Sequence, residues 1–215
     1  MRSGNSKIDL YINEVFAPED SHLRSIRMAL KQSGLEGIHI SPYEGKLLQF
    51  LMKISQAKKV IELGTLYGYS TLWMARALPA NGKIVSIEKN SKNHHAASEF
   101  LSHTESFSKI QLVKGDAKQI LSEHHEFYDF IFIDADKASY PFYLDWAETH
   151  IKKGGLIVAD NTLLFGHLVG QPREIQVTED QIVAMKAFNT RLASPQKFCS
   201  ILIPTYEGLT VAQVI

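Results

Sequence analysis

Five acids, Glu62, Glu88, Asp116, Asp134 and Asp160, each stand at the end of a short apolar run that reads as a β-strand. In an open α/β sheet, ligands bind just beyond the carboxyl ends of the strands. One acid in such a place is an ordinary loop cap; five at one sheet edge point to a site. Asp134, Asp160 and Asn161 come from two neighbouring strand ends. Their hard oxygens suit Mg²⁺, Mn²⁺ or Ca²⁺ rather than zinc, and would leave about half of an octahedral shell for substrate oxygens and water. The alternative is that Asp160-Asn161-Thr162 is only a turn. Lys137 follows Asp134 by three residues. It is either a surface partner of Asp136 or a general base, if a nearby cation brings its pKa well below ~10.4.

The stretch Glu62-Leu63-Gly64-Thr65-Leu66-Tyr67-Gly68-Tyr69-Ser70 resembles a dinucleotide fingerprint that lacks its third glycine. Gly64 and Gly68 permit a tight turn and close approach of the backbone to a ligand. Glu62 would repel a pyrophosphate but suits a cationic group. The helix expected from Ser70 offers its positive end to a carboxylate. A ligand with an amine and a carboxylate but no phosphate fits both, and S-adenosylmethionine is such a ligand. Glu88 lies about 20 residues beyond the glycine loop, where an acid accepts from ribose hydroxyls. Asp116 either caps the next helix, borders an adenine ring, or does both.

Strands are expected at 59–63, 83–87, 110–113, 130–133 and 156–159, alternating with helices at 70–78, 91–102, 117–125 and 140–151. Alternation of this kind implies a parallel sheet with right-handed crossovers. The segment Phe130–Ile133 is apolar without a break, as in a strand covered on both faces. Lys152-Lys153-Gly154-Gly155 reads as the link before the fifth strand. A loop over 162–177 leads to a helix at 179–192, then to strands at 198–203 and 209–214 whose short link makes an antiparallel hairpin. Ahead of the first strand, residues 8–56 read as helices at 8–16, 19–33 and from Pro42, the last with Ser41 as cap and Glu44 closing a capping box. These form an appendage or lid on a single domain of residues 1–215, and residues 1–7 are expected to fray.

With 215 residues, 45 % of them hydrophobic, the chain can bury a full core. Lys+Arg and Asp+Glu are both 23, so no net charge draws it to nucleic acid or an anionic membrane. No apolar run approaches the ~20 residues of a membrane span, and the first residues lack a signal-peptide core, so a cytoplasmic protein is expected. Cys199, the one cysteine, rules out an intramolecular disulfide and reads as a small core residue. The pairs His94-His95 and His124-His125 read as solvated helical residues, and Tyr140, Phe142 and Tyr143 as core or pocket lining.

The sequences E-L-G-T-x-x-G-Y-S, G-D-A, F-I-D-A-D-K-x-x-Y, G-G-L-I-V-A-D-N-T-L and G-L-T-V-A, taken together, resemble the metal-dependent O-methyltransferases of the catechol and caffeoyl-coenzyme A type. The likeness spans nearly the whole chain. It implies a Rossmann-like class I methyltransferase fold: a seven-stranded, mostly parallel sheet with an antiparallel C-terminal hairpin and helices on both faces, working as a homodimer. By motif, Glu62, Gly64, Thr65, Ser70, Glu88, Ala117 and Asp134 would contact S-adenosylmethionine, with Ile40 adding a main-chain contact. Gly68 and Asp116 join them from the loop reading above. Asp134, Asp160 and Asn161 would hold the divalent ion, Mg²⁺ first among candidates, and Lys137 with Asp134 would do the proton chemistry. The acceptor would be a small phenol or catechol-like diol. The chain starts too close to its first helix to show the basic extension with which plant enzymes meet coenzyme A. The loop from Thr162 to Gln181 names no substrate, and Asp136 would orient Lys137 or a water. Two other functions fit the same residues: methylation of a hydroxyuridine in transfer RNA, using Lys152, Lys153, His167 and Arg173 as a basic patch, and a non-catalytic S-adenosylmethionine sensor.

Overall fold

The computed structural model describes residues 7–215. Of the stretch expected to fray, 1–6 lie outside the described residues, and Lys7 opens the first helix. The elements run α1 (Lys7–Val15), α2 (Ser21–Gln32), α3 (Pro42–Ile54), β1 (Lys59–Leu63), α4 (Tyr69–Ala77), β2 (Lys83–Glu88), α5 (Ser91–Ser102), β3 (Ile110–Lys114), α6 (Ala117–Ser122), β4 (Tyr128–Ile133), α7 (Tyr140–His150), β5 (Ile151–Ala159), α8 (Glu179–Leu192), β6 (Phe198–Ile203) and β7 (Leu209–Val214). The seven strands are ordered β3-β2-β1-β4-β5-β7-β6. Pairing is parallel between β2 and β3, β1 and β4, and β4 and β5, and antiparallel at β5–β7 and β6–β7. No described helix is long and apolar enough to cross a membrane.

The chain forms two compact units. The first takes the residues up to Lys58 together with Thr65–Gly115. Its helices start where local chemistry dictates. Asp20 accepts from the Leu23 amide ahead of α2. At α3, Ser41 accepts from the Glu44 amide while Glu44 accepts from the Ser41 amide, the reciprocal box expected from the sequence. Helix α2 buries Leu23, Ile26 and Leu30. Helix α3 lies against α4 so closely that a Cβ on Gly45 would sit 2.3 Å from the Trp73 ring.

The second unit takes Lys59–Gly64 and Asp116–Ile215. Its centre is β4, whose Phe130, Ile131, Phe132 and Ile133 are wholly buried. By area alone each such side chain stabilises the fold by roughly 1.5–3 kcal/mol. Strand β4 lies between β1 and β5, which explains its unbroken apolar run.

Four readings of the sequence need correction. Strand β5 begins at Ile151, so Lys152–Gly155 is strand and not a link. The register slips between Tyr128 and Phe130, and Gly154 takes φ +79°, so a bulge absorbs the glycines. Helix α6 stops at Ser122, because the His124 ring is drawn to the Tyr128 hydroxyl and packs on the rings of Tyr128 and Trp146. His124 is therefore neither helical nor merely solvated. Cys199 is exposed, because β6 is the last strand of the sheet, where Cys199 through Leu202 are all exposed although successive side chains point to opposite faces.

Candidate active site

The order of the strands reverses at β1 and β4, the place where α/β sheets bind ligands. There the ladder runs one residue past the strands. The Asp134 amide donates to Leu63 O at 2.9 Å, and the Asp160 amide donates to Ile133 O at 3.0 Å. Hydrogen bonding thus delivers Gly64, Asp134 and Asp160 to one edge of the second unit. Gly64 has φ +99°, and a Cβ on it would lie 2.0 Å from Asp134 O, so no other residue fits without moving the backbone. Glu62 is wholly buried in β1.

Asp160 and Asn161 are also wholly buried. Asp160 Oδ1 accepts from the Asn161 amide at 2.7 Å. Asn161 holds φ +59°, and neither atom of its side-chain amide has a hydrogen-bond partner. A buried amide left unsatisfied costs about 1–3 kcal/mol, and strain of this kind clusters at functional sites. The next residue is braced from the hairpin: the Thr162 amide and Oγ1 donate to Gly208 O at 3.0 and 3.1 Å, and Thr210 Oγ1 donates to Thr162 Oγ1 at 2.8 Å. The G-L-T run thus holds the Asp160-Asn161 turn, a role its position in the sequence does not reveal. Among the described residues no three His, Cys, Asp or Glu side chains gather as a metal cage. The expected set, two carboxylates and an amide oxygen, is of another kind, and it fits a hard cation because the Asn161 oxygen is otherwise idle.

Lys137 is buried and donates from Nζ to Asp134 Oδ1 at 2.8 Å and to the Tyr140 hydroxyl at 3.0 Å. Its carboxylate partner is therefore Asp134 and not Asp136. Asp136 is exposed and accepts from Ser139 Oγ, so its side chain stabilises the turn that carries Lys137 rather than orienting the lysine directly. Tyr140, read from the sequence only as core or pocket lining, is wholly buried, and its hydroxyl donates to Asp160 O at 2.7 Å, with Ile133 O at 3.2 Å. Tyr143 is buried as well, and burial pushes its phenol up to about 12, so it stays neutral. Phe142 is partly exposed. Asp116 caps α6 through the Lys118 amide at 2.9 Å, and Ala117 is buried as the first residue of that helix.

The remaining expected cofactor residues lie in the first unit. Glu88 accepts from the Leu66 amide through Oε2 and from the Asn90 amide through Oε1, both at 2.8 Å. Leu66 holds φ +52° to make that bond. The Thr65 and Ser86 hydroxyls are 2.5 Å apart. Gly68, at φ +86°, precedes α4 and caps it with no side chain. Ile40 is buried, and its carbonyl lies 2.7 Å from His39 Nδ1.

A strand-order reversal in a mixed seven-stranded sheet that ends in an antiparallel hairpin is a Rossmann-like arrangement, and the comparisons with known proteins specify its class. The O-methyltransferase family profile matches residues 13–215. The chain is 37 % identical to a catechol O-methyltransferase of Niastella koreensis, over 96 % of each sequence. It is 30 % identical to a caffeoyl-CoA O-methyltransferase of Stellaria longipes, covering 91 % of this chain and 84 % of that one. An O-methyltransferase from Bacillus cereus, solved in complex with SAH, superposes over 100 % of both chains with a TM-score of 0.88 at 28 % identity. The chain belongs to the O-methyltransferase family and is an enzyme of that class.

Proposed function

We propose that this enzyme transfers a methyl group from S-adenosylmethionine to one of two adjacent hydroxyls of a small catechol-like phenol, and that it does so with a bound divalent cation. The observation that carries the reading is the idle Asn161 amide beside buried Asp160, at the edge that also presents the Lys137–Asp134 pair. The similarity to an enzyme solved with SAH, the demethylated donor, supports the choice of donor. The named activities of the two relatives support the choice of acceptor.

Asp134, Asp160 and Asn161 would hold the ion. When bound, a divalent cation supplies acidity to an acceptor hydroxyl. Lys137 Nζ receives the proton, and the Asp134 carboxylate 2.8 Å away stabilises the resulting ammonium. The acceptor oxygen displaces the sulfonium methyl: the O–C bond forms as the S–C bond breaks, and a neutral thioether leaves. Glu62, Gly64, Thr65, Gly68, Ser70, Glu88, Asp116, Ala117 and the Ile40 main chain bind the donor. The chain then works as one methyltransferase domain. Alignment of donor and acceptor is worth several kcal/mol of the barrier, on the order of 7–11 at most. We further propose a homodimer, supported by apolar residues that α1 and α3 leave exposed, Ile8, Leu10, Tyr11, Val15, Phe50 and Ile54.

Transfer RNA methylation is not favoured. Of its basic patch, Lys152 is bound to Asp129 at 2.6 Å and Arg173 to Glu207 at 2.5 Å, so two of its cations are already paired with carboxylates. The deciding experiment is a methyl-transfer assay over a panel of vicinal diols, with Mg²⁺ and with excess chelator. Asp160→Ala is expected to abolish transfer while leaving donor binding, measured by calorimetry, largely intact. Full activity in chelator, or in that variant, would refute the metal reading.

A further inference from the structure

The Tyr140 hydroxyl meets two strand ends and the lysine at one point. It lies 2.7 Å from Asp160 O and 3.2 Å from Ile133 O, carbonyls that end β5 and β4, and it accepts from Lys137 Nζ at 3.0 Å. A phenol has one proton to give, and the shorter contact assigns it to Asp160 O. The oxygen is then left with lone pairs, one of which faces the ammonium. The ring cannot turn away, because it is wholly buried and packs edge-on against Phe188 at 5.0 Å between centroids, with Tyr143 at 6.3 Å. Lys137 Nζ also stands 5.0 Å from the Tyr140 ring centroid. The lysine has a flexible four-carbon stem and sits on a short 3₁₀ turn, Lys137–Ser139. Asp134 alone would fix one of its three N–H directions.

We infer that Tyr140 is a positioning residue: its hydroxyl holds Lys137 Nζ in register with the Asp134 and Asp160 strand ends, so that the remaining direction at the nitrogen, the lone pair of the neutral amine, addresses the acceptor. This rests on the reading of Lys137 as the base. Two consequences follow from the geometry. Loss of the hydroxyl frees the lysine without emptying the core, because phenylalanine keeps the ring. The effect on catalysis passes through Lys137 and vanishes when Lys137 is absent.

The test compares wild type, Tyr140→Phe, Lys137→Met and the double variant. Transfer to a catechol is measured with Mg²⁺, together with thermal midpoints and the ¹H–¹⁵N signal of the lysine ammonium, assigned by its loss in Lys137→Met. One hydrogen bond to a charged group predicts a fall in kcat of about tenfold or more in Tyr140→Phe, with the KM for the donor unchanged. The same substitution in the Lys137→Met background is expected to change kcat less than about twofold. The slowly exchanging ammonium signal of wild type is expected to broaden or vanish in Tyr140→Phe. An unaltered ammonium signal, or an undiminished tenfold loss in the double variant, overturns the inference. A Lys137→Met enzyme with full kcat overturns the base reading instead, and the ammonium signal then still decides whether Tyr140 holds the lysine.

Discussion

Replacing Asn161 by glycine should stabilise the metal-free protein while disabling it. The side-chain amide of Asn161 is wholly buried with no hydrogen-bond partner, a burden of about 1–3 kcal/mol. Its φ of +59° adds about 1 kcal/mol for a residue with a Cβ. Glycine removes both. Against this stand the greater chain entropy of glycine, about 0.5–1 kcal/mol, and a small void of about 1 kcal/mol. The balance is a gain of about 1 kcal/mol, which for a chain of this size raises Tm by about 2–4 °C. Calorimetric melts in excess chelator measure it. Adding Mg²⁺ is expected to raise the wild-type Tm by mass action and to leave the variant nearly unmoved. Methyl transfer to a catechol should fall by at least about a hundredfold. A lower Tm for Asn161→Gly in chelator would show that the amide is a structural group, and the ligand assignment would fall with it.

Other perturbations read other parts of the site. Gly64→Ala must displace the Asp134 backbone, since its Cβ would lie 2.0 Å from Asp134 O at φ +99°. A loss of about 3 kcal/mol or more in urea unfolding is expected, with weakened donor binding by calorimetry; an unchanged unfolding midpoint would contradict the close approach. Arg173 stacks on the Tyr206 ring at 3.2 Å and binds buried Glu207 at 2.5 Å, so it pins the 162–181 loop to the β6–β7 hairpin. Arg173→Ala should cost about 2 kcal/mol and speed limited proteolysis within that loop; cleavage at the wild-type rate would argue against the pin. Burial holds the His124 imidazole below its usual 6.5, with Lys59 acting in the same direction and Glu126 opposing. As pH falls through 6.5 the unfolded chain takes up that proton first, so stability declines until folded His124 itself protonates. The loss in urea midpoint between about pH 7.5 and about pH 5.5 should be smaller in His124→Gln than in wild type; equal losses would remove His124 from the account.

The chain's local chemistry was legible in its residues. Short, largely apolar runs between turn and helix signals marked β1, β6 and β7 at their observed bounds, because such runs are local in the chain. The Ser41–Glu44 box and the Asp116 cap each act within three residues, so they too could be read directly. The family motifs located Asp134, Asp160, Asn161 and Lys137 because each stands beside a strand end. Partners brought by distant segments were not legible. Lys137 prefers Asp134 to Asp136, and that choice depends on where the 3₁₀ turn points the side chain. The Tyr140 hydroxyl meets carbonyls 7 and 20 residues away in sequence, and Thr162 is braced from 46 residues away. The exposure of Cys199 follows from β6 being the last strand, a property of sheet order rather than of the strand itself. The residues alone therefore determined which elements form and which acids end the strands, since backbone periodicity and capping are short-range. Only the tertiary structure decided which buried polar groups are satisfied. It left Asn161 without a partner, because hydrogen bonding is settled by neighbours in space.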